Sequence, residues 1–367
     1  MKLFRKYKAM CAAVVVLVLC ACCSRESEVH NPQEGNSVPI TFGTTDVMTK
    51  GLDPLNYERI KSSRFGFFAY TSDNQPYLEH RDVEYIEDKN YWHCSPAAYW
   101  PFGTSLSFFA YAPYDPIRAN LHTGDVNESY VYFLPELDEG GMPRLRFTPP
   151  TDVTNQPDFC VSVPVLDKTK EDRTIHFSFH HTLTRVRFYV NYTGSHLSGY
   201  NYRVSDLIIR GVEGSNVLTY VDDEAKPYRW KETDPDSPKI GTYCLSVGKG
   251  HLTNSPIIQL EPLATGPLEQ RYTHINAMFN GRLYLLPQKL TSSAEIELTV
   301  SLFLGDNIVS ILPPFIFKLP ENSVWEEEKI VSYMMTLDIE NVKQSTIEAK
   351  VQGWNDSANS HPYETLE

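Results

Sequence analysis

The chain has 367 residues, room for two domains of ordinary size or one large one. With 46 acidic against 33 basic residues its formal net charge is -13, a balance that repels nucleic acid and anionic lipid surfaces and argues against nucleic acid as a partner. Its 22 Tyr, 18 Phe and 25 Pro suit a β-rich fold interrupted by many turns.

The chain opens with Lys2, Arg5, Lys6 and Lys8 and continues with an apolar run from Met10 to Ala21. A basic flank and a short greasy core are the parts of a secretory signal peptide, and the run falls short of the ~20 residues that span a bilayer. Residues 1–21 are therefore excluded from the fold. Leu19-Cys20-Ala21-Cys22 has the form of a lipobox and resembles the processing site of bacterial lipoproteins. Ala21 supplies the small residue before the cut, so Cys22 is the expected lipidation site; Cys20 and Cys23 fit less well, and a cysteine-rich ordinary signal is the alternative. Each buried CH₂ of an acyl chain such as palmitate contributes ~0.8 kcal/mol, so two or three chains hold a protein on a membrane. Residues 22–37 are polar and linker-like, and no Asp follows Cys22.

From Val38 onward almost every apolar run alternates with period two. Val38, Ile40 and Phe42 share one face; Phe65, Phe67 and Ala69 share another, with Phe68 and Tyr70 opposite. Leu106, Phe108 and Ala110 repeat the pattern, as do Ile175, Phe177 and Phe179 against His176, Ser178 and His180. Thr184, Val186, Phe188 and Val190 oppose Arg185 and Arg187. Ile296, Leu298, Val300, Leu302 and Leu304 oppose Glu295, Glu297, Thr299 and Ser301. One dry and one wet face argue antiparallel sheets, and many short strands without helical periodicity argue a β-sandwich or barrel. The charge cluster Asp167-Lys-Thr-Lys-Glu-Asp-Arg173 is the expected boundary, dividing residues 38–170 from 171–354 ahead of a polar tail, 355–367.

No motif announces catalysis: there is no nucleophile elbow, Walker loop, His-Glu-x-x-His or dinucleotide fingerprint, and no catalytic residue is expected. Gly248-Lys249-Gly250 reads as a turn. His176 and His180 share a strand face but lie ~13 Å apart at ~3.3 Å per residue, and His181 points the other way, so no metal site is expected. Asp222-Asp223-Glu224 and Glu326-Glu327-Glu328 lack the spacing of a cation loop and read as solvated loops. Tyr77, Tyr91 and Trp92 either stack on sugars or cap a sandwich edge. Beyond Cys22, Cys23, Cys94, Cys160 and Cys244 form no Cys-x-x-Cys pair; their spacing demands no disulfide, and buried free thiols are expected.

Several segments in order carry a family pattern: Phe65-Gly-Phe-Phe-Ala-Tyr70, Trp92, Tyr99-Trp100-Pro101, Leu106-Ser-Phe-Phe-Ala-Tyr-Ala-Pro113, Phe179-His-His-Thr-Leu-Thr-Arg-Val186, Leu283-Tyr-Leu-Leu-Pro-Gln288 and Ile347-Glu-Ala-Lys-Val-Gln-Gly-Trp354. Together they resemble the Mfa-like fimbrillins, fimbrial subunit lipoproteins of Bacteroides-type bacteria. The resemblance implies an all-β chain of two tandem transthyretin-like antiparallel β-sandwich domains behind the lipoprotein signal peptide. It also implies a stalk, tip or anchor subunit of a fimbria at the outer membrane, assembled with other subunits by β-strand exchange and contributing to adhesion, without cofactor. On that reading Val38, Ile40 and Phe42 belong to a first strand that is displaced, and Lys50, before Gly51, is the candidate processing site, although the family more often has Arg there. Ile347, Ala349 and Val351 are the candidate donor strand, with an intrinsic terminal strand as the equal alternative. A non-polymerising surface lipoprotein that binds glycans or a host or bacterial ligand is the second functional reading; a hydrolase is the third.

Overall fold

The computed structural model describes residues 38–44, 57–115, 130–134, 136–151, 153, 156–195, 198–232, 241–245, 258–263, 272–275 and 283–353. The leader, Cys22, the linker, Lys50 and the tail lie outside the described residues.

The alternating segments form strands. The first group is β1 (Thr41–Thr44), β2 (Phe65–Thr71), β3 (Pro76–Ile86), β4 (Tyr91–Cys94), β5 (Leu106–Ala112), β6 (Val131–Leu134), β7 (Arg144–Phe147), β8 (Cys160–Ser162), β9 (Val165–Lys168), β10 (Thr174–Phe177) and β11 (Phe179–His181). A short helix, α1 (Tyr57–Ser63), precedes β2. The second group is β12 (Thr184–Thr193), β13 (Tyr200–Val212), β14 (Asn216–Tyr220), β15 (Tyr228–Trp230), β16 (Gly241–Cys244), β17 (Ile258–Gln259), β18 (Thr273–His274), β19 (Tyr284–Leu285), β20 (Gln288–Lys289), β21 (Glu295–Leu304), β22 (Asn307–Ile311), β23 (Phe315–Lys318), β24 (Val324–Trp325), β25 (Lys329–Asp338) and β26 (Thr346–Gly353).

A nine-stranded sheet runs β10-β1-β4-β3-β2-β5-β8-β11, with β9 also on β5. One of its faces buries Phe65, Phe67, Phe108, Phe177 and Phe179 in a first core. The opposite face was expected to be wet. Instead Phe68, Phe109 and Tyr111 pack there with Leu145, Phe147, Leu218 and Tyr220 of a four-stranded sheet, β15-β14-β7-β6. The C-terminal sandwich faces β18-β12-β25-β26 against β16-β13-β21-β22. Val186, Phe188, Val204, Leu207, Ile296, Leu298, Tyr333 and Met335 fill the space between them. β12 departs from the one-wet-face expectation too: Arg185 and Arg187, on its outer face, are buried, Arg187 to 1% exposure. On β21 the expected row holds through Val300, but at the strand end Leu304 is exposed and Phe303 is buried under the Arg203 guanidinium.

The sheets do not divide at residue 170. The charge cluster there is a short 3-10 turn, Lys170–Asp172, capped by Thr169 and joining β9 to β10. Beyond it β10 and β11 complete the first sheet, and β14 pairs with β7 across the proposed boundary. A charged run solvates a tight turn as readily as it marks a domain joint.

On β13 the buried apolar residues are Tyr202, Val204, Leu207, Ile209 and Val212. Those spacings of two, three, two and three cannot stay on one face of a regular strand. Register shifts at Val204/Asp206 and Arg210/Val212 absorb the extra residues and keep every one of these side chains inward. Gly211 makes the second bulge possible: its φ is +71°, and a Cβ there would collide with the Ser293 carbonyl oxygen. Gly211→Ala is expected to destabilise the protein by about 1–3 kcal/mol in equilibrium denaturant unfolding; a wild-type midpoint would show that the bulge needs no glycine.

Candidate functional site

The first strand is short and deeply seated. Its entry is fixed by Ile40 N–H donating to Ala98 O (2.8 Å) and Trp100 N–H donating to Val38 O (3.0 Å). β1 then runs parallel to β10, with Phe42 beside Ile175, and antiparallel to β4, with Phe42 opposite Trp92. The Phe42 ring lies 4.5 Å from that of Phe67 and 6.3 Å from that of Phe177. Ile40 and Phe42 are buried, whereas Val38, expected on the same face, is 42% exposed at the sheet's rim. Burial of two such side chains stabilises the seat by about 1.5–3 kcal/mol each. Without β1, both β10 and β4 would present unpaired edges, the feature that recruits another strand.

The last strand is held differently. β26 pairs antiparallel with β25 at the sheet edge, with Ile347 opposite Met335, Ala349 opposite Tyr333 and Val351 opposite Val331. The β25 partners are buried in the core. Of the β26 row only Ile347 packs against that core; Ala349 is exposed and Val351 is 55% exposed. A main-chain ladder thus holds β26 with little side-chain burial. In this structure it completes its own subunit's sheet.

The other candidates separate. Trp92 is a core residue, packed on Phe65 and Tyr85, and the Tyr77 hydroxyl donates to Tyr99 O (3.0 Å); of the three aromatics only Tyr91 is exposed. Asp223 closes a local turn by accepting from Ala225 N–H (2.8 Å), the solvated loop that was expected. Cys94 and Cys160 are buried free thiols, while Cys244, expected to be buried, is exposed because it sits on the solvent side of β16. His176 is exposed, and His180 is buried with Nδ1 3.7 Å from Glu328 Oε1. His181 turns inward, where its Nδ1 lies 2.9 Å from Asp158 Oδ1 and 3.3 Å from Cys160 Sγ. Burial pushes the Cys160 thiol up to about 12. Burial opposes protonation of His181, but the Asp158 carboxylate beside it carries the imidazole well above its ordinary value. This cluster escaped sequence reasoning because Cys160 and His181 meet only through the β8–β11 register. The legible part of the signal was the alternation of Ile175, Phe177 and Phe179, which continues onto His181 and marks it as inward-facing.

A profile of the fimbrillin-like family matches residues 58–354, and the chain belongs to that family. A fimbrial protein from Bacteroides vulgatus superposes with a TM-score of 0.61 at 17% identity, over 87% of this chain and 100% of that one. Candidate cell adhesion proteins from Bacteroides uniformis (TM-score 0.44, 13% identity) and Bacteroides ovatus (0.45, 11%) each align over 87% of this chain and 99% of theirs. No curated protein matches the chain. Family membership makes the protein a fimbrial or adhesion-related surface protein.

The two strands are expected to respond differently to substitution. Phe42→Ala should cost about 3 kcal/mol or more in urea unfolding, as a large side chain leaves a packed slot. Val351→Asp should stay within about 0.5 kcal/mol of wild type because the side chain is already in water. A large loss from Val351→Asp would contradict the loosely packed edge.

Proposed function

We propose that this protein is a structural subunit of a surface fimbria, exported as a lipoprotein acylated at Cys22 and assembled by strand exchange. In this reading proteolysis after Lys50 releases the segment that carries Val38, Ile40 and Phe42. A neighbouring subunit's Ile347, Ala349 and Val351 row then fills the vacated groove. The observation that carries the reading is the seat of β1: four ladder residues and a small apolar contact occupy the gap between β10 and β4. β-Augmentation needs that combination, with ladder bonds for affinity and alternate side chains in pockets for specificity. The loosely packed β26 edge supplies a complementary apolar row. Assembly with other fimbrial subunits follows coarsely from the family; the role of these two strands is our assignment.

The role is structural and adhesive rather than catalytic. Glycan binding through exposed aromatics is the weaker reading, since Trp92 is spent in the core. Intact-mass and N-terminal analysis of protein taken from surface fibres tests the proposal. A chain beginning at Gly51 is the expected result. Fibres made only of chains beginning at acylated Cys22 would rule out removal of the first strand.

A further inference from the structure

We propose that Asp158, Cys160 and His181 bind one Zn²⁺ ion, forming a buried structural metal site that clamps β8 to β11.

The topology builds the site from distant residues. In the antiparallel β8–β11 pair Cys160 stands directly opposite His181, and Asp158, two residues before Cys160, lies on the same face. Their donor atoms converge: Cys160 Sγ, His181 Nδ1 and an Asp158 carboxylate oxygen all lie within 4.8 Å of one another. The two measured separations are 3.3 Å from sulfur to nitrogen and 2.9 Å from nitrogen to oxygen. Tetrahedral zinc with bonds of ~2.0–2.3 Å spaces its ligand atoms ~3.3–3.8 Å apart, so the cluster needs to open by only a few tenths of an ångström. Thiolate, imidazole and carboxylate are the three donor types zinc takes.

One observation and one charge argument favour an ion over a hydrogen-bonded trio. Asp158 Oδ2 is buried with no hydrogen-bond partner, although its residue is only 6% exposed. Charge also balances. One carboxylate, one thiolate and a neutral imidazole around a divalent cation sum to zero, which suits a position beside Phe179 in the first core. On binding, the Cys160 S–H bond and the His181 Nδ1–H bond both break, S–Zn and N–Zn bonds form, and the two protons leave to solvent. The strand that carries His181 is braced from outside: Tyr228 Oη donates to His181 O (2.7 Å), and Trp230 Nε1 donates to Thr182 O (2.9 Å). Because β11 continues directly into β12, the ion would fasten the first sheet where the chain enters the C-terminal sandwich.

The test is made on the purified full-length protein, produced in zinc-replete cells and freed of loosely held metal by gel filtration. Elemental analysis is expected to give about one zinc per chain. Asp158→Asn, Cys160→Ser and His181→Ala should each lower occupancy at least tenfold, while Cys244→Ser, at the exposed cysteine, should leave it unchanged. Zinc-edge X-ray absorption on the wild type needs no variant and is expected to show one sulfur at ~2.3 Å with nitrogen and oxygen neighbours. Chains carrying less than about a tenth of an ion would overturn the site. So would a zinc shell of nitrogen and oxygen alone, or occupancy that survives Cys160→Ser.

Discussion

Among the described residues β10 pairs with one strand of the first sheet, and that strand is β1. A strand from early in the chain therefore sits between β4 and a strand more than a hundred residues later, in parallel with the second and antiparallel with the first. The continuity of the sheet at this end, and the closure of its core over Phe67 and Phe177, depend on four ladder residues and the Phe42 ring. Many other contacts hold the C-terminal sandwich; this margin of the first sheet rests on one short segment.

The two ends of the described chain are complementary in kind. β1 is short and buries its apolar side chains; β26 is long, fully laddered and leaves most of its apolar row in water. A strand that is bonded but barely packed forfeits little hydrophobic stabilisation on leaving its sheet, and a groove emptied of Ile40 and Phe42 gains by receiving one. The proposed exchange uses that asymmetry. The fimbrillin-like family supplies the setting at the surface, and the strand assignments are inferred from these two environments.

The all-β class and most inward faces were legible from alternation alone, as in Ile296, Leu298 and Val300 or in Phe65, Phe67 and Ala69. Alternation says which residues share a face but not what covers the other one. The burial of Phe68, Tyr111 and Arg187 was therefore invisible, since it depends on a second sheet or on distant chain. The charged turn at 167–173 misled for a related reason: composition reports solvation, while sheet membership is decided by pairing partners elsewhere. The Asp158–Cys160–His181 cluster was half legible, as a face but not as a meeting point. At the candidate assembly site Ile40 and Phe42 were readable as a dry pair, whereas the exposure of Val38 and Val351 reflects where each sheet ends.

The most direct test is to lock β1 in place. Thr41 and Thr174 are paired across β1 and β10 with their hydroxyl oxygens 2.9 Å apart, and both side chains are accessible from outside the core. A Thr41→Cys/Thr174→Cys double variant, oxidised, would tie the first strand to its groove without touching Phe42. The account predicts a folded subunit that fails to enter fibres until a reductant is added. Incorporation of the oxidised variant at the wild-type level would contradict it, because the groove beneath β1 would then have no part in assembly.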